Sequence, residues 1–237
     1  MPRVLTPEHM DDPAATRADL DASLRFIRFI NRRLGGSAAL IRCLRAWSNR
    51  WPRDRPVTLL DVGTGSADIP LAAVRWARSA GFDLRVTAVD LHETTLDLAR
   101  DYVGDEPAVT LLQGDALRLT DRFEPGSFDY AHAGMFLHHL SEIEVLTALR
   151  MMDRVARAGI VWNDLVRAPI AALSVRLLTL GQPAIVRHDA LVSVRAGFTP
   201  AEVREIARRL DLVHCRVRAS LWTQRFTLAG ERPGAWR

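Results

Sequence analysis

LLDVGTGSADIP, Leu59 to Pro70, is an apolar run that ends in an acid, turns through two alternating glycines and leaves as a helix-compatible stretch. The pattern predicts a buried strand, a tight turn and the opening of a helix, the arrangement by which many α/β proteins hold a nucleotide-like ligand. A dinucleotide site wants GxGxxG, but here the three positions are Gly63, Gly65 and Asp68. A carboxylate in the first helical turn repels a pyrophosphate placed there. A P-loop is excluded because its lysine is missing, and the chain contains no lysine at all. A nucleoside ligand without phosphate and with a positive centre suits the turn better, and S-adenosylmethionine has those properties.

Outward from this turn, near-continuous apolar strands alternate with amphipathic helices, the mark of a parallel sheet covered on both faces. The strands are expected at Val57 to Val62, Leu84 to Asp90, Ala108 to Gln113, Phe128 to Ala133 and Gly159 to Asp164. Helices are expected at Ala67 to Arg78, Glu93 to Tyr102 and Ser141 to Val155. Upstream, Leu20, Leu24, Ile27, Ile30 and Leu34 recur at helical spacing up to Gly35-Gly36, and a second helix runs from Ala38 to about Trp47. Downstream come a helix from Pro169 to about Leu180, an irregular stretch, and a helix from Thr199-Pro200 to about Leu210. Two strand-like runs follow, Leu212 to Ala219 and Leu221 to Ala229, too close to pair except as an antiparallel hairpin. The expected fold is therefore α/β: a Rossmann-like, seven-stranded, mostly parallel sheet with a C-terminal antiparallel hairpin and an N-terminal helical cap. Residues 1–52 would form the cap, and residues 53–237 the main domain with a substrate wall around 165–199.

The 237 residues, 48% hydrophobic and 25% charged, suffice for one full core. No apolar run approaches the roughly 18 to 20 residues of a membrane span, and the N-terminus lacks a secretory apolar region, so a cytoplasmic location is expected. Cys43 and Cys215 are far apart and lack metal or redox spacing. All 32 basic residues are arginines scattered beside 28 acids, for a net charge of +4, which does not make a nucleic-acid stripe.

Four ordered segments resemble the class I S-adenosylmethionine-dependent methyltransferases. DVGTGSAD is similar to their first motif through Asp61, Gly63 and Gly65, with Thr64 between the glycines and Ala67 where a third glycine is common. VTAVDL puts Asp90 and Leu91 at the second strand's end, where an acid accepts both ribose hydroxyls. LLQGDALRL puts Asp115 and Ala116 after the third strand, where the resemblance implies contact with the adenine amino group and a ring nitrogen. FDYAHAGMFLHHLS resembles the fourth strand and loop of small-molecule enzymes of ubiquinone and menaquinone biosynthesis, with His132, inside the strand, as cofactor-facing wall or core. More loosely, EHMDDP, INRRLGG, NDLVR and HDALVSVRAGFTP resemble bacterial polyketide-associated O-methyltransferases. The resemblance implies S-adenosylmethionine as cofactor, with Asp61, Gly63, Thr64, Gly65, Asp68, Asp90, Leu91, Asp115, Ala116 and His132 around it.

Methyl transfer from a sulfonium needs alignment, exclusion of water and, for a phenol or alcohol, a base. His138, His139 and His188 are the expected bases, and Asn163 and Arg167 the expected substrate contacts, although helix capping is the commoner use of such residues as Asn163-Asp164. Metal-dependent catechol-type enzymes carry an aspartate after strand four and an Asp-Asn pair after strand five; AHAG and Asn163-Asp164 depart from this, so no metal is expected. A nucleic-acid adenine enzyme would carry [DN]PP[YF] after strand four, and AHAGMF does not. O-methylation of a phenolic or polyketide-like small molecule is therefore expected. Carbon methylation of a quinol-type ring is the alternative, and a non-catalytic S-adenosylmethionine-binding protein the alternative of another class. Oligomeric state is open between monomer and homodimer.

Overall fold

The structure, a computed structural model, describes residues 1–12, 14–220 and 222–236. Two N-terminal helices come first: α1 (Arg17–Arg33) and α2 (Gly36–Trp47). Thr16 caps α1 by accepting from the Asp19 N–H, and Gly35, at φ 85°, reverses the chain between the two helices. The alternating region then supplies β1 (Val57–Val62), α3 (Asp68–Ser79), β2 (Leu84–Asp90), α4 (Glu93–Val103), β3 (Val109–Gln113), β4 (Phe128–Gly134), α5 (Glu142–Val155) and β5 (Ala156–Leu165). The last third contains α6 (Pro169–Leu178), α7 (Ala184–Ala196), α8 (Pro200–Arg209), β6 (Arg216–Ser220) and β7 (Arg225–Glu231). Reciprocal capping boxes open α5 at Ser141/Glu144 and α8 at Thr199/Glu202.

The sheet has seven strands in the order β3-β2-β1-β4-β5-β7-β6. Its first five strands are parallel, and β7 inserts antiparallel between β5 and β6. Strand alternation divides the core between two faces. Leu60, Val62, Ala131 and Ile160 pack under α5 and α8, whereas Val57, Leu59, Tyr130 and Val161 pack under α2, α3 and α4. Through Leu40 and Leu44, α2 shares this second core with the sheet.

The expected sheet and the hairpin pairing are observed, with three local corrections. The stretch expected to be irregular is the helix α7; its buried face includes Asp189 and Ser193, which break the apolar stripe that would announce it. The sixth strand begins at Arg216 rather than Leu212, because Asp211, at φ 53°, turns the chain there and leaves Cys215 just outside the strand. β7 begins at Arg225, after a turn through Gln224 at φ 52°; Leu221, the expected start of the last run, lies outside the described residues.

Candidate active site

The C-terminal ends of β1, β2, β3 and β4 open on one cleft of about 420 Å³, where open α/β sheets place their ligands. All ten residues expected around the cofactor line it: Asp61, Gly63, Thr64, Gly65, Asp68, Asp90, Leu91, Asp115, Ala116 and His132. The glycine turn is shaped by alternating positive φ values, 65° at Gly63, 55° at Gly65 and 55° at Ala67. Ala67 therefore adopts left-handed backbone with a Cβ. At Gly63 a Cβ would fall 2.2 Å from Cγ of the Phe136 ring, so only glycine fits beneath that ring.

Of the carboxylates on the cleft wall, Asp61 and Asp90 are buried and Asp68 and Asp115 partly buried, and each is held by short-range donors. Asp90 accepts from the Gly65 N–H at 2.9 Å and the His92 N–H at 3.2 Å, joining the end of β2 to the glycine turn. Burial pushes its carboxyl above the ordinary range, and the backbone bonds offset part of that rise. Asp68 is pushed up for the same reason, while Asn31 and Ser66 donate to it. Asp115 caps the turn after β3 by accepting from the Leu117 N–H at 2.8 Å. Asp61 and His132 are register partners on β1 and β4, and His132 Nδ1 is bonded to Asp61.

That bond leaves His132 Nε2 buried without a partner, and Thr64 Oγ1 is likewise buried and unpaired. Orphaned polar atoms on a cleft wall suit a polar ligand that satisfies them. Together with the nucleoside-compatible acids at Asp90 and Asp115, and with Asp68 and Asp61 where a positive centre belongs, the residues fit S-adenosylmethionine.

A second cavity, about 80 Å³ and mostly apolar, adjoins the first. Helices α1, α6 and α7 enclose it, with Phe26, Ile30, Val175 and Val186 among its walls. Met10, Ile27, Met135 and His139 line both cavities, so the two share one wall. The N-terminal segment covers this junction. Arg3 donates to the carbonyls of Ala196, His138 and Leu140 and lies 4.1 Å over the Phe198 ring. Asp189 accepts from the His9 and Met10 N–H groups at 2.8 and 3.0 Å.

The three histidines separate in this geometry. His138 is 2% exposed; its Nδ1 lies 2.7 Å from Asp164 Oδ1 and its Nε2 3.6 Å from Glu8 Oε1. Burial pulls this imidazole down, but the two carboxylates more than offset it and push the pKa up to about 10. The two carboxylates thus favour the charged form of His138, whereas the base expected at this position would be neutral. Asp164 is held below the ordinary carboxylate range by His138 against its own burial, and Glu8 by His139 and His138. Trp162, fully buried between Phe198 and Phe226, fixes Asp164 by an indole N–H bond of 3.2 Å. His139 is half-buried at the shared wall, with Nδ1 3.0 Å from Asp11.

His188 faces away from both cavities. It stacks on His9 at 3.8 Å and bonds its neighbour Asp189, because α7 turns it outward. Arg167 also lies away from both cavities: its guanidinium is consumed by the carbonyls of Gly197 and Met1 and by Glu202. Asn163 is buried and reaches across to β7, donating to the Phe226 carbonyl at 2.9 Å. Leu173 and Leu177 of α6, and Leu180 just beyond it, are largely exposed, whereas Leu178 lines the second cavity.

Glu8, Asn31 and Arg225 are site residues that sequence reasoning missed. The only signal was EHMDDP and INRRLGG, stretches that carry Glu8 and Asn31. Glu8, His138 and His139 also form the more buried of two groups of metal-type side chains among the described residues, with ligand atoms within 4.8 Å of one another. Ser193 and His138 already engage Glu8 there.

Residues 59–159 match the family model for a methyltransferase domain. The demethylmenaquinone methyltransferase of Staphylococcus aureus strain MRSA252 is 32% identical over 119 residues, 48% of this chain and 46% of that protein. The chain thus spans about half the length of the curated relatives it matches. The plantazolicin methyltransferase BpumL in complex with SAH superposes with a TM-score of 0.65 at 10% identity, over 90% of this chain and 96% of that one. Magnesium protoporphyrin IX methyltransferase from Synechocystis PCC 6803 with bound SAH gives 0.56 at 15% identity, over 90% and 97%. These two likenesses concern the fold, and the family match concerns the segment that builds the cleft. Over residues 59–159, the segment that builds most of the cleft, the chain matches a methyltransferase domain.

Proposed function

We propose that the protein methylates an oxygen of a small phenolic or polyketide-like acceptor held in the second cavity. The observation that carries this reading is the wall of Met10, Ile27, Met135 and His139 common to the cleft and the apolar chamber. S-adenosylmethionine, when bound, supplies an electrophilic methyl group on a sulfonium and leaves as the thioether. The chain's own contribution is to orient the acceptor, exclude water and take its proton.

In this reading the apolar walls from α1, α6 and α7 align the ring, and the N-terminal segment seals the junction. His138, held charged between Asp164 and Glu8, is not the base; it keeps Glu8 ionised and fixed. Proton acceptance falls to Glu8 or to His139, both of which line the chamber. Asp90 and Asp115 hold the nucleoside, and Asp61, Asp68 and the glycine turn hold the methionine part.

Carbon methylation of a quinol-type ring is the second reading, supported by the relative named demethylmenaquinone methyltransferase. Incubation with methyl-labelled cofactor and candidate phenols separates the two: the label is expected on oxygen, and carbon-bound label overturns the first reading. Calorimetry tests the class itself. Binding of NAD with no binding of the cofactor or of S-adenosylhomocysteine would end it. The described residues contain no helix long and apolar enough to cross a membrane.

A further inference from the structure

Arg225 opens β7, lines the chamber proposed for the acceptor and is 3% exposed. Its guanidinium makes two recorded hydrogen bonds, both to neutral amide oxygens: Asn163 Oδ1 at 3.3 Å and Asn31 Oδ1 at 3.1 Å. Both amides are themselves fixed. Asn163 Nδ2 donates to the Phe226 carbonyl and to Thr227, and Asn31 Nδ2 points to Asp68 at 3.4 Å. A guanidinium has five N–H donors in a rigid fork, so donors remain after these two bonds.

No described carboxylate forms an ion pair with this arginine. Asp164 is taken by His138, the Leu165 N–H and the Trp162 indole; Asp68 by Asn31 and Ser66; Glu8 by Ser193 and His138. Burial accordingly pulls Arg225 down to about 10, with Asp164 and Asp68 opposing only through space. A buried cation without a counter-ion is costly, and such groups in a cavity wall are matched by the ligand the cavity receives. The carboxylate fork complements guanidinium geometry best.

Resting on the methyltransferase reading above, we propose that Arg225 is a specificity-determining residue that binds a carboxylate of the methyl acceptor. The substrate class narrows to aromatic or polyketide-like acids, with the apolar chamber walls taking the ring and Arg225 the acid group. Asn163 then contributes by orienting the guanidinium rather than by touching substrate. The cofactor also carries a carboxylate, and Asn31 lines the cofactor cleft as well, so the test separates the two sources.

Calorimetry on the full chain saturated with S-adenosylhomocysteine compares 2,4-dihydroxybenzoate with its neutral counterpart 2,4-dihydroxybenzamide. The wild type is expected to bind the acid about tenfold or more tightly than the amide. Arg225→Gln is expected to abolish that preference with S-adenosylhomocysteine affinity kept within about twofold, and Arg225→Lys to retain part of it, since the charge stays and the fork is lost. Should Arg225→Gln fail to fold, as judged by circular dichroism and melting, the wild-type preference and the Arg225→Lys shift still decide. Equal affinity for the two probes, binding of neither, or a preference that survives Arg225→Gln overturns the proposal. A fall in S-adenosylhomocysteine affinity with the probe preference unchanged also overturns it, by assigning Arg225 to the cofactor's own carboxylate. Failure of the wild type to bind S-adenosylhomocysteine at all would instead sink the methyltransferase reading.

Discussion

The cofactor cleft and the chamber proposed for the acceptor share a wall but are built in opposite ways. The cleft is made from the ends of consecutive strands, with backbone geometry and a few acids contributed by short contiguous segments. The chamber is made from side chains on α1, α6, α7, β5, β7 and the N-terminal segment, from Glu8 to Arg225. A site built on strand ends is held by the sheet's own hydrogen bonds. A site built between helices depends on packing and on tethers such as Arg3, and that is where specificity varies at least cost to the fold.

The largest expected break in the comparison is Gly63→Ala. Left-handed backbone and a Cβ driven into Phe136 each cost about 1–3 kcal/mol, so the cleft should collapse in both melting temperature and S-adenosylhomocysteine binding. On the chamber side, Glu8→Gln should lower turnover about 100-fold, with cofactor affinity within about twofold, read by single-turnover kinetics and calorimetry. Asp90→Ala should do the reverse, weakening cofactor binding about 10- to 100-fold through loss of charge-assisted hydrogen bonds.

A smaller effect sharpens the electrostatic side of the difference. The pKa of His138 is raised, so its stabilising contribution is complete below its ordinary value of 6.5 and is lost as pH rises through about 10. Asp164 and Glu8 are lowered, so theirs is present above the ordinary values of 3.8 and 4.5 and is lost as pH falls through the folded values. Melting temperature should therefore decline from about pH 6.5 toward 10, and His138→Asn should flatten that alkaline limb. The smallest effect is expected for His188→Ala, which should change stability by about 0.5 kcal/mol or less and leave turnover unaltered.

The same contrast explains what could be read from the chain. VTLLDV and DYAHAG announce buried parallel strands because both faces of those strands are covered, and the fixed distances between strand ends gathered ten residues from four segments into one cleft. The chamber gave no such signal. AIVRHDALVSVRA hides a helix because Asp189 and Ser193 interrupt its buried face, although Pro183 and Gly197 stand where a helix start and stop belong. Glu8 and Arg225 acquire meaning only when 217 positions of chain fold back to bring them to one cavity. His138 was recognisable as a site residue by its place in the loop, but its charge depends on Asp164 and Glu8, from two other elements, and local sequence does not carry that information.

The wall of Met10, Ile27, Met135 and His139 has a thermodynamic consequence for how the two ligands come and go. A molecule in either compartment rests against side chains that also contact the other, so the two occupancies are linked. Whatever factor the cofactor adds to the acceptor's affinity, the acceptor must return to the cofactor's.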